Sequence, residues 1–174
     1  MKSIIVYGSE YGSTRAYAKR LSELTEIRAV SFQKIKNISE YDKVIYIGGL
    51  YAGSAKGLKQ TAKNIRADAE VFIITVGLMG CDTEKNKEML RNQVAKQVPA
   101  EIMKRAKRFH LRGAIDYSKM SFKHKAMMKA LCTVLKAKPA DKRDADSNMI
   151  INSYNKKFDL MNFEDLNEIA EVVK

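Results

Sequence analysis

Residues 3–14 read Ser-Ile-Ile-Val-Tyr-Gly-Ser-Glu-Tyr-Gly-Ser-Thr, an apolar run followed at once by a turn of glycines and hydroxyl residues. The run Ser3–Tyr7 is rich in β-branched side chains and predicts a buried strand, and apolar residues recur at helical spacing from Thr14 to Leu24. Amides at a helix N-terminus lack intrahelical partners and attract anions. The turn therefore predicts a phosphate site, although Ser9 and Ser13 are also residues that cap helices.

The composition of this turn narrows the kind of phosphate that it suits. A P-loop needs the pattern G-x-x-x-x-G-K-[ST], and a dinucleotide-binding turn needs G-x-G-x-x-G; neither pattern is present. No lysine or arginine lies between Gly8 and Thr14, so hydroxyls and amides would hold the anion. A single phosphate monoester fits these donors better than a triphosphate with its metal ion. The turn thus favours a mononucleotide cofactor and predicts no metal site.

Length and composition predict one folded domain that spans residues 1–174. The chain is 45% apolar and has only two prolines, which argues against disorder. Cys81 and Cys132 are far apart and form no metal-ligand pattern, so we expect ordinary thiols of a reducing cytoplasm. No stretch approaches the ~18 apolar residues of a membrane span. These features predict a cytoplasmic protein that is soluble or only peripherally attached to a membrane.

The positive charge of the chain is concentrated in one segment. The net charge is +12, and residues 101–143 contain 13 lysines and arginines against three acidic residues, a local charge of +10. Such a block attracts nucleic acid, acidic proteins, anionic lipids or acidic small molecules. Nucleic-acid binding is the least favoured of these alternatives.

Segments typical of strands and helices alternate along the chain, which predicts an open parallel sheet with helices on both faces. Ligands of such sheets bind at the carboxyl ends of the strands, where glycine-containing turns follow the first, third and fourth strands. After the first strand, the predicted strands are Ile27–Ser31, Lys43–Gly48, Val71–Val76 and Phe109–Ile115. After the first helix, the predicted helices are Leu58–Ile65, Thr83–Lys107 with a break at Pro99, Phe122–Leu135 and Phe163–Val173. The polar stretch 138–153 is predicted to be a connection.

Two of these turns resemble the flavin-binding loops of flavodoxins. Residues 9–14 are similar to the flavodoxin phosphate loop T/S-x-T-G-x-T, with Tyr11 in place of the middle threonine, and Tyr51-Ala52-Gly53 is similar to the loop beside the flavin ring. The resemblance implies an α/β flavodoxin-like three-layer sandwich with a five-stranded parallel sheet of order 2-1-3-4-5. It also implies FMN as the cofactor. The implied cofactor-binding residues are Ser9, Glu10, Tyr11, Gly12, Ser13, Thr14, Leu50, Tyr51, Ala52, Gly53, Gly77, Leu78, Met79 and Gly80.

Each loop suits a different part of FMN. The hydroxyls and amides of the first loop would hold the phosphate, and Leu50 or Tyr51 would lie against one face of the ring. Gly53 would present a flexible peptide to the ring nitrogen, and backbone donors of residues 77–80 would approach its polar edge. No catalytic side chain is predicted. We expect His110 and His124 to be structural or solvent-facing, and Cys81 to be a small buried thiol.

The basic segment also resembles the menaquinone-dependent protoporphyrinogen dehydrogenase family, from Arg112-Gly113-Ala114-Ile115-Asp116-Tyr117 through the helix 120–135. The resemblance implies an FMN-dependent oxidoreductase of haem biosynthesis that passes electrons from a porphyrinogen to a quinone. The alternative is a flavodoxin-type electron carrier that serves a redox partner and has no substrate of its own. The segment 119–138 is a candidate for peripheral membrane contact at the inner face of the membrane. Packing on the sheet, with the lysines in solvent, is the alternative for this helix.

Overall fold

The structure is a computed structural model that describes residues 1–174. Eight strands follow one another along the chain: β1 (Ser3–Gly8), β2 (Ala29–Ser31), β3 (Lys43–Tyr51), β4 (Ser54–Ala55), β5 (Glu70–Gly77), β6 (Lys107–Arg112), β7 (Ala114–Asp116) and β8 (Lys157–Asp159). Seven α-helices connect or follow them: α1 (Ser13–Thr25), α2 (Leu58–Ala62), α3 (Glu84–Ala95), α4 (Ala100–Arg105), α5 (Phe122–Ala137), α6 (Ala145–Ser153) and α7 (Leu166–Val173).

Five parallel strands form the main sheet, in the order β2-β1-β3-β5-β6. This order is the predicted 2-1-3-4-5 arrangement, since β5 and β6 are the fourth and fifth strands of the parallel sheet. The short strand β4 pairs antiparallel with the end of β3 and widens the sheet locally. Because β1, β3 and β5 all end at one edge, the three predicted loops lie on the same side of the molecule.

Helices cover both faces of the sheet, so the predicted three-layer sandwich is confirmed. One face packs against α1 and α7 through a cluster of 14 buried residues, among them Leu21, Ile74 and Leu166. The other face packs against α2, α3 and α4 through a cluster of 10, among them Tyr46 and Ile73. The buried side chains of β1, β3 and β5 are mostly β-branched or aromatic, which suits strands that are covered on both sides.

The chain after the fifth parallel strand differs from the prediction. The segment predicted as one strand, Phe109–Ile115, is two strands. The first, β6, ends at Arg112, and the next residue, Gly113, donates a 2.8 Å hydrogen bond from its amide to the Gly77 carbonyl, which is the last bond of this ladder. Past this residue the chain leaves the sheet, and β7 pairs antiparallel with β8. The prediction that residues 138–153 are a plain connection is wrong, because this stretch contains α6. Asp144 caps the helix by accepting a 2.8 Å hydrogen bond from the Ser147 amide.

The basic helix α5 packs chiefly against α6 and not on the sheet. Cys132 and Leu135 of α5 and Ile150 of α6 form a separate buried cluster, which Met79 and Met128 border. The opposite side of α5 lies in solvent. None of the seven helices has the length and apolar character to cross a membrane.

Candidate functional site

The first loop joins β1 to α1 and leaves the beginning of the helix without a side-chain cap. Gly12 is the N-cap residue with a φ of 108°, a conformation that favours glycine. Ser9 Oγ accepts a 3.1 Å bond from the Gly12 amide, and Ser13 Oγ accepts a 3.3 Å bond from the Ala114 amide in β7. These serines therefore shape the loop and join it to β7, and capping of α1 by their side chains is not observed. The uncapped turn keeps the features of an anion site.

The second loop is the tight hairpin between β3 and β4. Its two central residues, Ala52 and Gly53, have φ angles of 49° and 78°, which is the backbone signature of a type I′ turn. Leu50, Tyr51 and Ala52 line the cleft at the sheet edge, whereas Gly53 lies at the exposed tip. The Ser54 hydroxyl, next to Gly53, donates a 2.9 Å bond to Gln97 Oε1, which fixes the hairpin to the turn that follows α3. The second loop is thus fixed by the pairing of β3 with β4 and by the bond of Ser54 to Gln97.

Tyr51 lies between the first loop and α5. Its hydroxyl accepts a 3.2 Å bond from the Glu10 amide, and its ring stacks on the His124 ring with a centroid separation of 5.5 Å and an angle of 13°. A side chain at Gly49 would place its Cβ 2.8 Å from the Tyr51 hydroxyl and 3.0 Å from Thr14 Oγ1, so glycine is required for this close approach. Burial raises the pKa of Tyr51 to about 12, so its phenol stays protonated.

Only the first two residues of the third loop, which comprises residues 77–80, lie at the cleft. These residues are Gly77 and Leu78. Met79 packs towards α5 and α6, and its carbonyl accepts a 2.7 Å bond from His110 Nε2. The Gly80 amide donates to both carboxylate oxygens of Asp146 in α6 at 3.3 Å. The expectation that all four residues direct backbone donors at the cleft is therefore wrong for Gly80, because Asp146 occupies its amide, and Met79 and Gly80 do not line the cleft.

Asp146 is the centre of the polar contacts that hold the third loop. Its carboxylate accepts bonds from Asn86 Nδ2 at 2.8 Å and from an Arg112 guanidinium nitrogen at 2.9 Å. His110 also bonds to Thr75 at 2.8 Å, so both of its ring nitrogens have partners and its predicted structural role is confirmed. Cys81 is partly exposed, not buried as predicted.

A narrow cleft of about 130 Å³ lies where the three loops meet. Of the predicted residues, Tyr11, Ser13, Thr14, Leu50, Tyr51, Ala52, Gly77 and Leu78 line it, whereas Ser9, Glu10, Gly12, Gly53, Met79 and Gly80 do not. Eleven of its 18 lining residues are hydrophobic. The far wall comes from residues that the sequence did not indicate for the site: Gly113, Ala114, Ile115, Asp116, Met120, His124, Met127 and Met128.

His124 belongs to this far wall, a position that the sequence did not indicate, and its contacts with Tyr11 and Tyr51 agree with the predicted structural role. The Tyr11 hydroxyl contacts His124 Nδ1 closely and accepts a 3.3 Å bond from the Ser121 amide at the start of α5. Tyr11 therefore joins the first loop to α5. Met120, His124, Met127 and Met128 recur at helical spacing, which is the sequence signal that could have revealed the face of α5 that lines the cleft.

A comparison with known protein families identifies the family of this chain. The family model for the flavodoxin domain, Flavodoxin_5, matches residues 4–142, and the chain belongs to this family. Among solved structures, a flavodoxin from the domain Archaea is 14% identical over 98% of this chain and 99% of that chain, with a TM-score of 0.38. The flavodoxin of Fusobacterium nucleatum bound to flavin mononucleotide is 15% identical over 67% of this chain and 72% of that chain, with a TM-score of 0.40. No curated protein sequence matches the chain.

Proposed function

We propose that the chain binds FMN in the cleft at the sheet edge and acts as a redox protein. The observation that carries this proposal is the convergence of three loops of a flavodoxin domain on one largely apolar cleft beside the uncapped start of α1. The Ser9, Ser13 and Thr14 hydroxyls and the amides of Tyr11, Ser13 and Thr14 would hold the phosphate, since the Glu10 and Gly12 amides already donate to the Tyr51 hydroxyl and to Ser9 Oγ. Leu50, Tyr51, Ala52, Gly77 and Leu78 would contact the ring.

The residues present fit such a group. Thr14 is buried at the cleft, and the glycine at position 49 lets Tyr51 and Thr14 approach one another. The apolar lining excludes water from a planar ring, and the protonated Tyr51 adds no negative charge. Bound FMN would supply the electron-transfer chemistry, while the protein sets its affinity, its potential and the access of partners.

Flavin titration tests the proposal. FMN fluorescence should be quenched on addition of the purified protein, and Gly49→Ala should weaken binding because the new Cβ meets Tyr51 and Thr14. Asn64→Ala, an exposed change remote from the cleft, is the matched control and should leave the titration unchanged. Circular dichroism of both variants checks the fold. A wild-type protein that neither carries nor takes up FMN would refute the proposal.

We further propose a dehydrogenase role, with an anionic porphyrinogen as the electron donor and a quinone as the acceptor. Support comes from the far wall of the cleft, where β7 and α5 add apolar surface beyond the three loops. Lysines 119, 123, 125 and 129 lie on or next to the α5 end of this wall. Such a surface attracts a planar molecule with carboxylate groups.

Anaerobic turnover separates this role from that of an electron carrier. FMN-loaded protein should oxidise protoporphyrinogen with a menaquinone analogue faster than the same concentration of free FMN. Met127→Glu would place a negative charge in the apolar far wall and should raise KM for the porphyrinogen, because like charges repel. If the rate does not exceed that of free FMN, while a reductase still reduces the bound flavin, the carrier role is the better assignment.

We also propose that α5 contacts an anionic membrane surface. Phe122 is 92% exposed and Val134 61% exposed, and the segment 119–138 carries six lysines. Apolar side chains among lysines are typical of helices that lie at a lipid interface.

Vesicle sedimentation tests this contact. Binding to phosphatidylglycerol vesicles should exceed binding to phosphatidylcholine vesicles, and replacing Lys123, Lys125 and Lys129 with glutamate should abolish the difference. The same replacement at Lys59, Lys63 and Lys96, which are exposed on the sheet side of the molecule, is the charge-matched control. If both triple variants lose binding equally, the net charge and not α5 directs the protein to lipid.

A further inference from the structure

The first loop contains no cation of its own, yet a lysine from another segment reaches it. Lys56 follows β4 directly, and its Nζ forms a close ion pair with the carboxylate of Glu10, the second residue of the loop sequence 9–14. The two side chains are 31% and 35% exposed, so they are partly shielded from solvent. No local pattern in the sequence indicates this pair, because 45 residues separate its members.

The backbone of Lys56 is fixed at the start of the first loop. Its amide donates a 3.0 Å bond to the Gly49 carbonyl, and its carbonyl accepts a bond from the buried Tyr46 hydroxyl. A Cβ at Gly8 would lie 1.7 Å from that carbonyl oxygen, so the chain at Lys56 rests directly on the end of β1. The lysine side chain therefore begins beside the loop, and its direction towards Glu10 does not depend on a long flexible reach.

Glu10 creates an electrostatic problem for an anion-binding loop. A carboxylate next to a phosphate monoester repels it, because like charges oppose one another at short range. Its amide is already engaged by the Tyr51 hydroxyl, so the residue is anchored in the loop. Lys56 is the one basic residue that forms an ion pair with Glu10.

We propose that Lys56 neutralises Glu10 and thereby makes the first loop selective for a phosphorylated flavin over an unphosphorylated one. This inference rests on the proposed FMN function. The pair sets the charge of the loop, while the hydroxyls and amides provide the hydrogen bonds. Removing the lysine leaves a negative loop, and removing the glutamate leaves a positive one.

The expected effects have opposite signs for the two residues. Lys56→Met should lower FMN affinity by about three- to tenfold, a range set by partial solvent screening. Glu10→Gln should raise FMN affinity, and the double variant should return towards the wild type. Lys56→Arg should keep the wild-type preference because it keeps the charge. Riboflavin, which has the same ring and no phosphate, should bind all five proteins alike.

Parallel fluorescence titrations with FMN and with riboflavin, at low and at high salt, test the inference. Lys59→Met removes an exposed lysine three residues away that forms no ion pair and should change neither affinity. The differences between FMN affinities should shrink at high salt. Equal losses for FMN and riboflavin in Lys56→Met would overturn the inference, because the pair would then only position the loop, and so would an unchanged FMN affinity. A wild-type protein that binds neither flavin would instead refute the proposed function itself.

Discussion

The sheet region, residues 1–112 with α7, and the edge region, residues 113–160, are stabilised in different ways. The sheet region buries clusters of 14, 10 and 4 apolar residues between its layers. The edge region has one cluster with three buried residues. It contacts the sheet region through a few polar contacts, such as Tyr11 with His124 at the cleft and Asp146 with Gly80 in the third loop, and through the packing of Tyr51 on His124 and of Met79 on the small cluster.

The two regions contribute differently to the site: the sheet region positions the three loops, and the edge region covers the cleft. Apolar burial fixes the sheet and its three loops, because that surface can be buried in only one register. The edge region instead covers the cleft through contacts that can be removed one at a time. We therefore expect substitutions in the sheet region to change global stability, and those in the edge region to change local order and ligand access.

The largest expected difference concerns the two apolar cores. Ile74 is fully buried in the sheet, and Ile74→Ala should lower the free energy of unfolding by about 3–4 kcal/mol. Leu135→Ala, in the small cluster of the edge region, should cost about 2 kcal/mol or less. Urea unfolding measures both values, and hydrogen exchange should show that the Leu135 variant loosens α5 and α6 alone. Faster hydrogen exchange throughout the sheet in Leu135→Ala would contradict the separate stabilisation of the two regions.

Two glycines provide a steric version of the same comparison. Gly8→Ala would place its Cβ 1.7 Å from the Lys56 carbonyl oxygen, so the backbone must move and stability should fall by about 3 kcal/mol. At Gly113, where the edge region begins, the nearest atom is a side-chain carbon of Val76 at 3.1 Å. Gly113→Ala should therefore cost less than about 1 kcal/mol. Equal melting temperatures for the two variants would contradict this prediction.

The sequence predicts the sheet region well because its signals are local. The apolar runs of β1, β3 and β5 and the turns that follow them identify the strands, their order and the cleft edge. The edge region is harder, since β7 and β8 have three residues each and the apolar residues Met149, Ile150 and Ile151 of α6 are consecutive and do not recur at helical spacing. Because the sequence does not predict α6, it also does not predict which element packs against α5 or on which face of α5 His124 lies. The contacts of Tyr11, Lys56 and Asp146 join distant segments, and no local pattern indicates them.

The third prediction concerns the hydrogen bonds between Asp146 and the third loop. Asp146→Ala removes the acceptor for Gly80, Asn86 and Arg112, and should cost about 2 kcal/mol. Amide hydrogen exchange should show a local effect. The amides of residues 77–82 and of α6 should exchange faster, while those of β5 stay protected. Glu84→Ala, which removes an exposed ion pair with Lys87, is the control. Faster exchange throughout β5 would show that Asp146 stabilises the sheet as well.

The smallest expected effect is a dependence on pH that comes from His110. Burial lowers the pKa of His110, and the hydrogen bond to the Met79 carbonyl offsets part of this change by raising the pKa. The unfolded chain therefore binds the proton first as the pH falls. Stability from this residue is full above the ordinary histidine pKa of about 6.5 and is lost as the pH falls below that value. Urea unfolding between about pH 7 and pH 5 should show a shallow decline that is reduced in His110→Gln. A decline of the same slope in that variant would assign the pH dependence to other groups, and the buried imidazole would then not be the link between sheet stability and the third loop.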